Sequence, residues 1–400
     1  MNNNGMTSRY TVRVSSIVLF SLYALLLLGS LNATESNFSK IGLSSIFIVL
    51  LFTTLGLIIF IITKNNFLPV QILVFSTILI ALIVCIFSII DNGFGLKDAV
   101  NTAQMILCFN LLLYLSFIKV DYSNLKALNI SVLVFMFIHF FIWIALGFPR
   151  MFASIYNNSN LIGPYMFYTS FFLILGIKYS KFKIIYIFGL FLSVILVLAS
   201  DTRSILLSIF VAFIVFIFWK LITRNKLIAV ISFSVLMILL LMFIFIYPIL
   251  PYFHFFTPIE QWMLTHTGKS IMSGRNDIWV PLIEMINLKP YIGYGPGAMA
   301  SELIATDQSP HNLYLNVLMQ LGYIGLMAFI LLLLIFWLAI SEVKNNFIIR
   351  LVGSYFIAIL IHQSFEITLF QNQLSVGLLQ WFILGIGFSI AINSKLKENA

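Results

Sequence analysis

The feature that most limits how this chain can fold is the recurrence of uninterrupted apolar runs, each of about 20 residues and so long enough to cross ~30 Å of hydrocarbon. They fall at 13–28, 41–62, 68–90, 99–118, 128–148, 161–177, 184–199, 204–219, 227–247, 313–340, 348–365 and 375–392. Inside such a run every backbone N–H and C=O must be satisfied without water, which leaves helices or a closed barrel. Barrel strands alternate apolar and polar residues, whereas these runs are continuous. The expectation is an all-α, polytopic transmembrane helix bundle of twelve spans. Composition agrees, because 9% charged residues are too few to coat a soluble domain of 400 residues. The first run follows Arg9 and Arg13 like a signal peptide but lacks a convincing small-residue cleavage site, so it reads as a retained span. Only 248–310 is long enough to build structure between spans, so the chain reads as one integral membrane domain, 1–400, with one large loop. Cys85 and Cys108 both lie in apolar runs and read as small core residues, implying neither a disulfide nor a metal site.

Orientation follows from the distribution of Lys and Arg. With both termini in the cytoplasm, the short inner connections hold Lys119, Lys126, Lys178, Lys181, Lys183, Lys220, Arg224, Lys226, Lys344 and Arg350, among others. The outer segments hold only Lys40, Lys97, Arg150, Arg203, Lys269, Arg275 and Lys289. The net charge of +9 is therefore mostly topology. Its spread over many short connections, rather than along one stripe, argues against nucleic acid as a partner. The large loop then faces outward, and the few outer cations stand against the bias and need a reason.

Arg203 follows Ser200-Asp201-Thr202 in a very short outer turn, so it sits at the membrane boundary. It can snorkel or pair with Asp201, or it can hold an anionic headgroup. Arg275 precedes an amphipathic stretch, 276–288, whose Ile278, Trp279, Leu282, Ile283 and Ile286 suit the membrane interface. With Ser273 as N-cap, Arg275 would lie in the opening turn beside free amides that attract anions; otherwise it is a solvated loop arginine. Gly293, Gly295 and Gly297 resemble a nucleotide loop only superficially, since no strand precedes them and no Lys-Ser/Thr follows. A tight turn leading the chain back to the bundle explains them better. Eleven residues make about three helical turns, so on a continuous helix Gly322 falls beneath His311 and Gly325 lies near the same line. That line would pack against a neighbouring helix and turn His311 inward, beside a polar stripe of Asn312, Asn316 and Gln320. His139 reads as a structural polar residue, while His254 and His266 belong to an unstructured-looking part of the loop. His362 and Glu366 crowd the outer end of the next hairpin with Gln363, Gln371, Asn372 and Gln373, where they line a cavity or a solvated loop. After Arg150, the turn Tyr156, Asn157, Asn158, Asn160 can bind sugar hydroxyls or cap a helix.

Together these residues resemble a known pattern. His311-Asn312, nine residues, then Gly322-x-x-Gly325, preceded by Ser273-Gly274-Arg275 and a Gly-x-Gly turn in a large outward loop, looks like the O-antigen ligase and O-antigen polymerase superfamily. Arg203 and Asn160 also fall in turns resembling the family's. Leu326 departs from the pattern, standing where ligases tend to have Thr, Val or Glu. The resemblance implies a bacterial cytoplasmic (inner) membrane enzyme that moves a glycan from an undecaprenyl-diphosphate carrier to an acceptor hydroxyl on the outer face, without cofactor or metal. The residues suit that chemistry, with His311 as base, Arg203 and Arg275 as cations neutralising the leaving diphosphate, Asn312, Asn160, Arg150 and His362 around the substrate, and Glu366 as a secondary candidate for orienting His311 or the acceptor. Expected partners are the lipid-linked oligosaccharide, an acceptor glycan, membrane lipids and a chain-length regulator. Leu326 favours polymerisation of surface-polysaccharide repeat units over ligation to lipid A core. A lipid-linked glycan flippase is the other class that twelve spans and outer arginines would fit, but it would need ionisable residues deep within several spans.

Overall fold

A computed structural model describes residues 3–63, 67–268 and 270–398, with the side chains of 3–14 and 398 not described. Lys269 and the side chains of Arg9 and Arg13 therefore lie outside the described residues. In chain order the helices are α1 (Asn3–Gly29), α2 (Phe38–Thr63), α3 (Pro69–Asn92), α4 (Leu96–Phe117), α5 (Tyr122–Ala145), α6 (Ser159–Tyr179), α7 (Lys183–Ser200), α8 (Arg203–Ile222) and α9 (Lys226–Ile246). They continue as α10 (Phe256–Thr267), α11 (Arg275–Leu288), α12 (Ala300–Leu303), α13 (Leu313–Ser341), α14 (Phe347–His362) and α15 (Leu374–Glu398), with no strand among the described residues. Eleven helices are long and apolar enough to cross a membrane. The chain is a multi-pass membrane protein built as a helical bundle.

The twelfth apolar run forms α14, which at 16 residues is shorter than a usual span. It nevertheless runs antiparallel to α8 along that helix. At one end Arg350 Nε donates to the carbonyl of Phe216 at 2.5 Å, and Lys344 Nζ donates to that of Arg224 at 2.8 Å. Its other end reaches the level where α8 begins. The inner layer of the bundle is α6, α13, α14 and α15: Phe171, Phe172, Tyr314, Phe356, Trp381 and Phe382 are all fully buried. By contrast α2, α3, α8 and α9 carry many exposed aliphatic and phenyl side chains, such as Leu55, Ile86, Phe213 and Leu239, as lipid-facing helices must.

The connection after α9 is more ordered than its sequence suggests. A 3-10 turn, Tyr247–Tyr252, leads into α10, so His266 is helical rather than part of an unstructured stretch, and His254 lies in the bend between them. The second helix of the connection, α11, does not present its apolar face to the interface. Ile278, Trp279, Leu282 and Ile286 are buried against the protein, and Trp279 Nε1 donates to the carbonyl of Pro310 at 2.7 Å. Its ring packs on Phe243 and Tyr247 of the α9 end.

The long helix α13 is broken. Gly322 has φ 63° and ψ −166°, a combination essentially confined to glycine. The interruption frees backbone groups within the bundle, and the glycine turn satisfies them. Tyr294 N–H donates to Met319 O at 2.9 Å and Gly295 N–H to Gln320 O at 3.0 Å, while Tyr323 N–H donates to Pro290 O at 2.7 Å and Ile324 N–H to Tyr291 O at 3.2 Å. A side chain has no room there. A Cβ on Gly322 would lie 2.4 Å from the Tyr291 carbonyl, and one on Gly293 2.5 Å from Gln320 C. Gly325 does not open α13 to a neighbouring helix, as its spacing suggests; its closest neighbour is Leu321, across the break.

The turn is also fastened from its far side. Asp98 Oδ1 accepts the Gly297 N–H at 2.7 Å, Asn101 Nδ2 donates to Pro296 O at 2.9 Å, and Asn92 Nδ2 donates to Gly293 O at 3.1 Å. Lys97 pairs with Glu302 at 2.7 Å and Lys289 with Asp91 at 3.0 Å. Nothing in the local sequence around 91–101 announces this role.

Candidate functional site

Three stretches far apart in sequence meet where α8 begins: the turn before α8, the strap 270–275 between α10 and α11, and the 308–311 segment facing the turn that follows α14. They enclose a cavity of about 600 Å³ whose lining includes Asn160, Arg203, Arg275, His311 and Glu366. Five of the side chains expected at the site are thus brought together.

His311 is not on α13 but just before it. Asn312 is the N-cap, its Oδ1 accepting the Leu315 N–H at 3.0 Å, and His311 has φ 48°. The inward direction inferred from an eleven-residue helical spacing therefore does not apply. Local backbone sets it instead, in a left-handed conformation that histidine tolerates better than most residues. Pro310 is held by Trp279 on one side, and Asn312 Nδ2 donates to Ser364 O at 3.2 Å on the other. The ring so placed is about one-third exposed, and its Nδ1 lies 3.1 Å from Glu366 Oε2, whose side chain is less exposed.

Arg275 opens α11, but its cap is Gly274, with φ 74°, rather than Ser273. Ser273 also has a positive φ, 51°, and its hydroxyl donates to Ser270 O at 3.0 Å. Arg275 Nη2 donates to the carbonyl of Phe365 at 3.1 Å, and the guanidinium lies 5.7 Å from the Phe365 ring centre. Its Nε is buried with no hydrogen-bond partner among the described residues. The single turn 363–366 thus grips both groups, through Phe365 O for Arg275 and Glu366 for His311. Arg203, exposed at the start of α8, donates from Nη2 to Ser270 O at 3.3 Å. Both guanidinium groups are held by neutral carbonyls of this corner, which leaves their charge uncompensated by those contacts.

The other expected site residues lie elsewhere. Asn312 is fully buried and spent on capping α13 and holding Ser364. His362 is also fully buried, its Nδ1 3.1 Å from the Tyr168 hydroxyl inside the bundle. Arg150 is exposed and does not line the cavity. Of the polar turn before α6, Asn158 caps the helix through Asn160 N–H at 2.8 Å, and Tyr156 is buried beside His139. The glycines 293, 295, 297, 322 and 325 build the scaffold rather than the cavity wall, and Leu326 is buried behind the break. Asn316 and Gln320 do face protein: both meet Gln371 Oε1, at 3.2 and 3.0 Å.

Sequence reading missed Tyr247 and Gln308, which also line the cavity. The Tyr247 hydroxyl donates to Met272 O at 3.0 Å and pins the strap that carries Arg275. A tyrosine at a helix end beside a membrane boundary is too common to have singled it out. Among the described residues no three of His, Cys, Asp and Glu gather into a group that could hold a metal ion.

A partly enclosed cavity lined by Arg203, Arg275, Asp201 and Glu366, with a carboxylate-paired histidine, is suited to binding an anionic leaving group at its arginines while a hydroxyl is deprotonated beside it. No curated protein matches the chain by sequence. Residues 188–330 match the family model described as O-antigen ligase, a segment that contains Arg203, Arg275, the glycine turn, His311 and the broken helix. By that match this stretch of the chain is similar to the O-antigen ligase family.

Proposed function

We propose that the cavity transfers a glycan from a polyprenyl-diphosphate carrier to a sugar hydroxyl, and that its product is a surface polysaccharide lengthened by repeat units. The observation that carries this reading is the meeting of Arg203, Arg275 and the His311–Glu366 pair in one cavity of about 600 Å³. Glu366 accepts the Nδ1 proton of His311, which leaves Nε2 free as the base. The acceptor oxygen attacks the anomeric carbon, its proton passes to Nε2, and the carbon–oxygen bond to the carrier breaks with its electron pair moving to the diphosphate. Arg203 and Arg275 stabilise that charge. Eleven long apolar helices suit a carrier that never leaves the membrane. The site side of the bundle then faces away from the cytoplasm, as the excess of Lys and Arg on the other side supports.

A second reading, ligation of a finished glycan to a lipid core, is favoured by the description of the matching family. The two differ in acceptor and not in bond chemistry. Leu326, which departs from the ligase pattern, favours the first reading, although it is buried and does not line the cavity. Deleting the gene in its host and resolving surface glycan on a gel tests the proposal. Single capped repeats support polymerisation, bare core with unligated lipid-linked polymer supports ligation, and single lipid-linked units trapped in the cytoplasm support a flippase instead. Complementation with His311→Ala should lose activity by about 10²–10⁴-fold, as for loss of a general base. Normal glycan from His311→Ala, Arg275→Ala and Arg203→Ala at normal protein levels would overturn the mechanism.

A further inference from the structure

The helix α10 carries three different faces. Phe256 is buried, Met263 lines the cavity, and Glu260 Oε2 accepts the Ile271 N–H at 2.9 Å. At about 100° per residue these three share one side of the helix. Thr257, Gln261 and Thr265 form an exposed polar side. Between them Phe255, just before the helix, with Ile259 and Trp262 forms a largely apolar stripe about 60° wide; these three are 56%, 48% and 58% exposed, and the stripe also holds His266, stacked on Trp262 with ring centres 4.6 Å apart.

That stripe continues a lipid-facing surface. The exposed row on α9 runs through Val235, Ile238, Leu239, Met242, Phe245 and Ile246. Beyond the helix end it passes through Ile249, Tyr252 and Phe253, exposed by 44%, 86% and 44%, to reach α10. From Tyr247 to Gly268 the only acidic or basic residue, histidine aside, is Glu260, and it is turned inward to Ile271. Aromatic side chains with a polar edge, as on Tyr252 and Trp262, concentrate at the headgroup level of membranes. The helix that rests on lipid is therefore α10 and not α11, whose apolar face is spent on the protein core.

We infer that α10, with the 3-10 turn before it, docks on the lipid surface of the leaflet on the site side and holds the rim of the cavity at headgroup level. Met263 links that surface to the cavity wall. Glu260 links it to the strap whose Ser270 carbonyl accepts from Arg203 and which leads into Arg275. The helix would lie so whatever the cavity binds, and the inference stands apart from the glycosyl-transfer reading.

The test uses the full chain in phosphatidylethanolamine and phosphatidylglycerol vesicles, with nitroxide labels on Ile259→Cys, Trp262→Cys, Gln261→Cys and Thr265→Cys. The native Cys85 and Cys108 are buried. Power saturation should show labels at 259 and 262 relaxed severalfold more by dissolved oxygen than by a water-soluble nickel chelate, with the reverse at 261 and 265. Nickel access at 259 and 262 equal to that at 261 would overturn the inference. So would shielding of 259 and 262 from both reagents, which would mean a second copy or another protein on that face. Because all four positions are exposed, the labels should not perturb folding, and elution as a single species on size exclusion checks this. Bimane fluorescence at 259 should also be quenched by brominated lipid tails, and quenching no greater than at 261 would again overturn it.

Discussion

Glu366 gives the histidine its direction. A ring flanked by backbone alone can rotate, while one held at Nδ1 by a carboxylate 3.1 Å away presents Nε2 to whatever enters the cavity. Glu366→Ala should therefore lower glycan synthesis in complemented cells, by less than His311→Ala, and the double variant should be no worse than His311→Ala alone. Two losses that multiply would show that Glu366 acts on the substrate independently of His311. Residue types and chain order were enough to nominate His311, Arg203 and Arg275, because cations outside the membrane and a histidine at a span's edge are rare. They were not enough to show that Arg150 and His362 lie away from the cavity, since an exposed arginine and a buried histidine carry the same letters as those that line it. What separates His362 from His311 is that its partner is Tyr168 within the bundle, while that of His311 is a carboxylate at the cavity.

At the scale of elements, hydropathy found the eleven long apolar helices and the shorter α14, and missed the discontinuity in α13. A window average sees that 313–340 is apolar but not that the backbone reverses its dihedral at Gly322, because nothing in the side chains changes there. The partner of that break lies in a loop some thirty residues earlier, which no local pattern joins to it. Gly322→Ala should cost about 1–3 kcal/mol for the backbone conformation alone, plus the displacement of Tyr291, and should lower the unfolding temperature of purified protein in detergent. An unchanged temperature would mean that the break is dispensable. The clasp between α4 and α12 makes a contrasting case. Hydrogen bonding to Lys97 lowers the Glu302 carboxyl below its ordinary range in an exposed pair. A lowered folded-state value contributes stability above the unfolded value and loses it as pH falls through the folded one. Glu302→Gln should thus cost no more than about 1 kcal/mol near neutral pH, and the difference from the parent protein should fade on acidification through the carboxylate range. A gap that persisted or widened in acid would contradict the assignment.

For the whole molecule, the question of eleven or twelve crossings decides on which side the chain ends. α14, 16 residues long, lies along α8, and the proposed orientation takes it as a full crossing. At the end away from the cavity, Asn124 Nδ2 donates to Ser16 midway along α1, and the Val120 N–H to Ser389 in the second half of α15. In the proposed orientation the two ends of the described chain then lie on the side opposite the site. A reporter active only outside the cytoplasm should be silent when fused after residue 397 and active when inserted at 307 in the large loop. Equal activity at the two positions would remove one crossing and the proposed orientation with it.

The broken helix also bears on the order in which the protein is assembled. The donors and acceptors that complete α13 at Met319, Gln320, Tyr323 and Ile324 belong to 290–295, which leaves the ribosome first. When α13 enters the membrane, the loop must already have been moved across and be waiting beside it. Until then four polar backbone groups have no partner in a medium where each orphan is costly. In the proposed orientation, insertion of α13 would thereby be coupled to translocation of the loop that carries Arg275. A chain whose loop stays on the wrong side would be marked by an unfinished span, and so would be open to removal before it could display half a site.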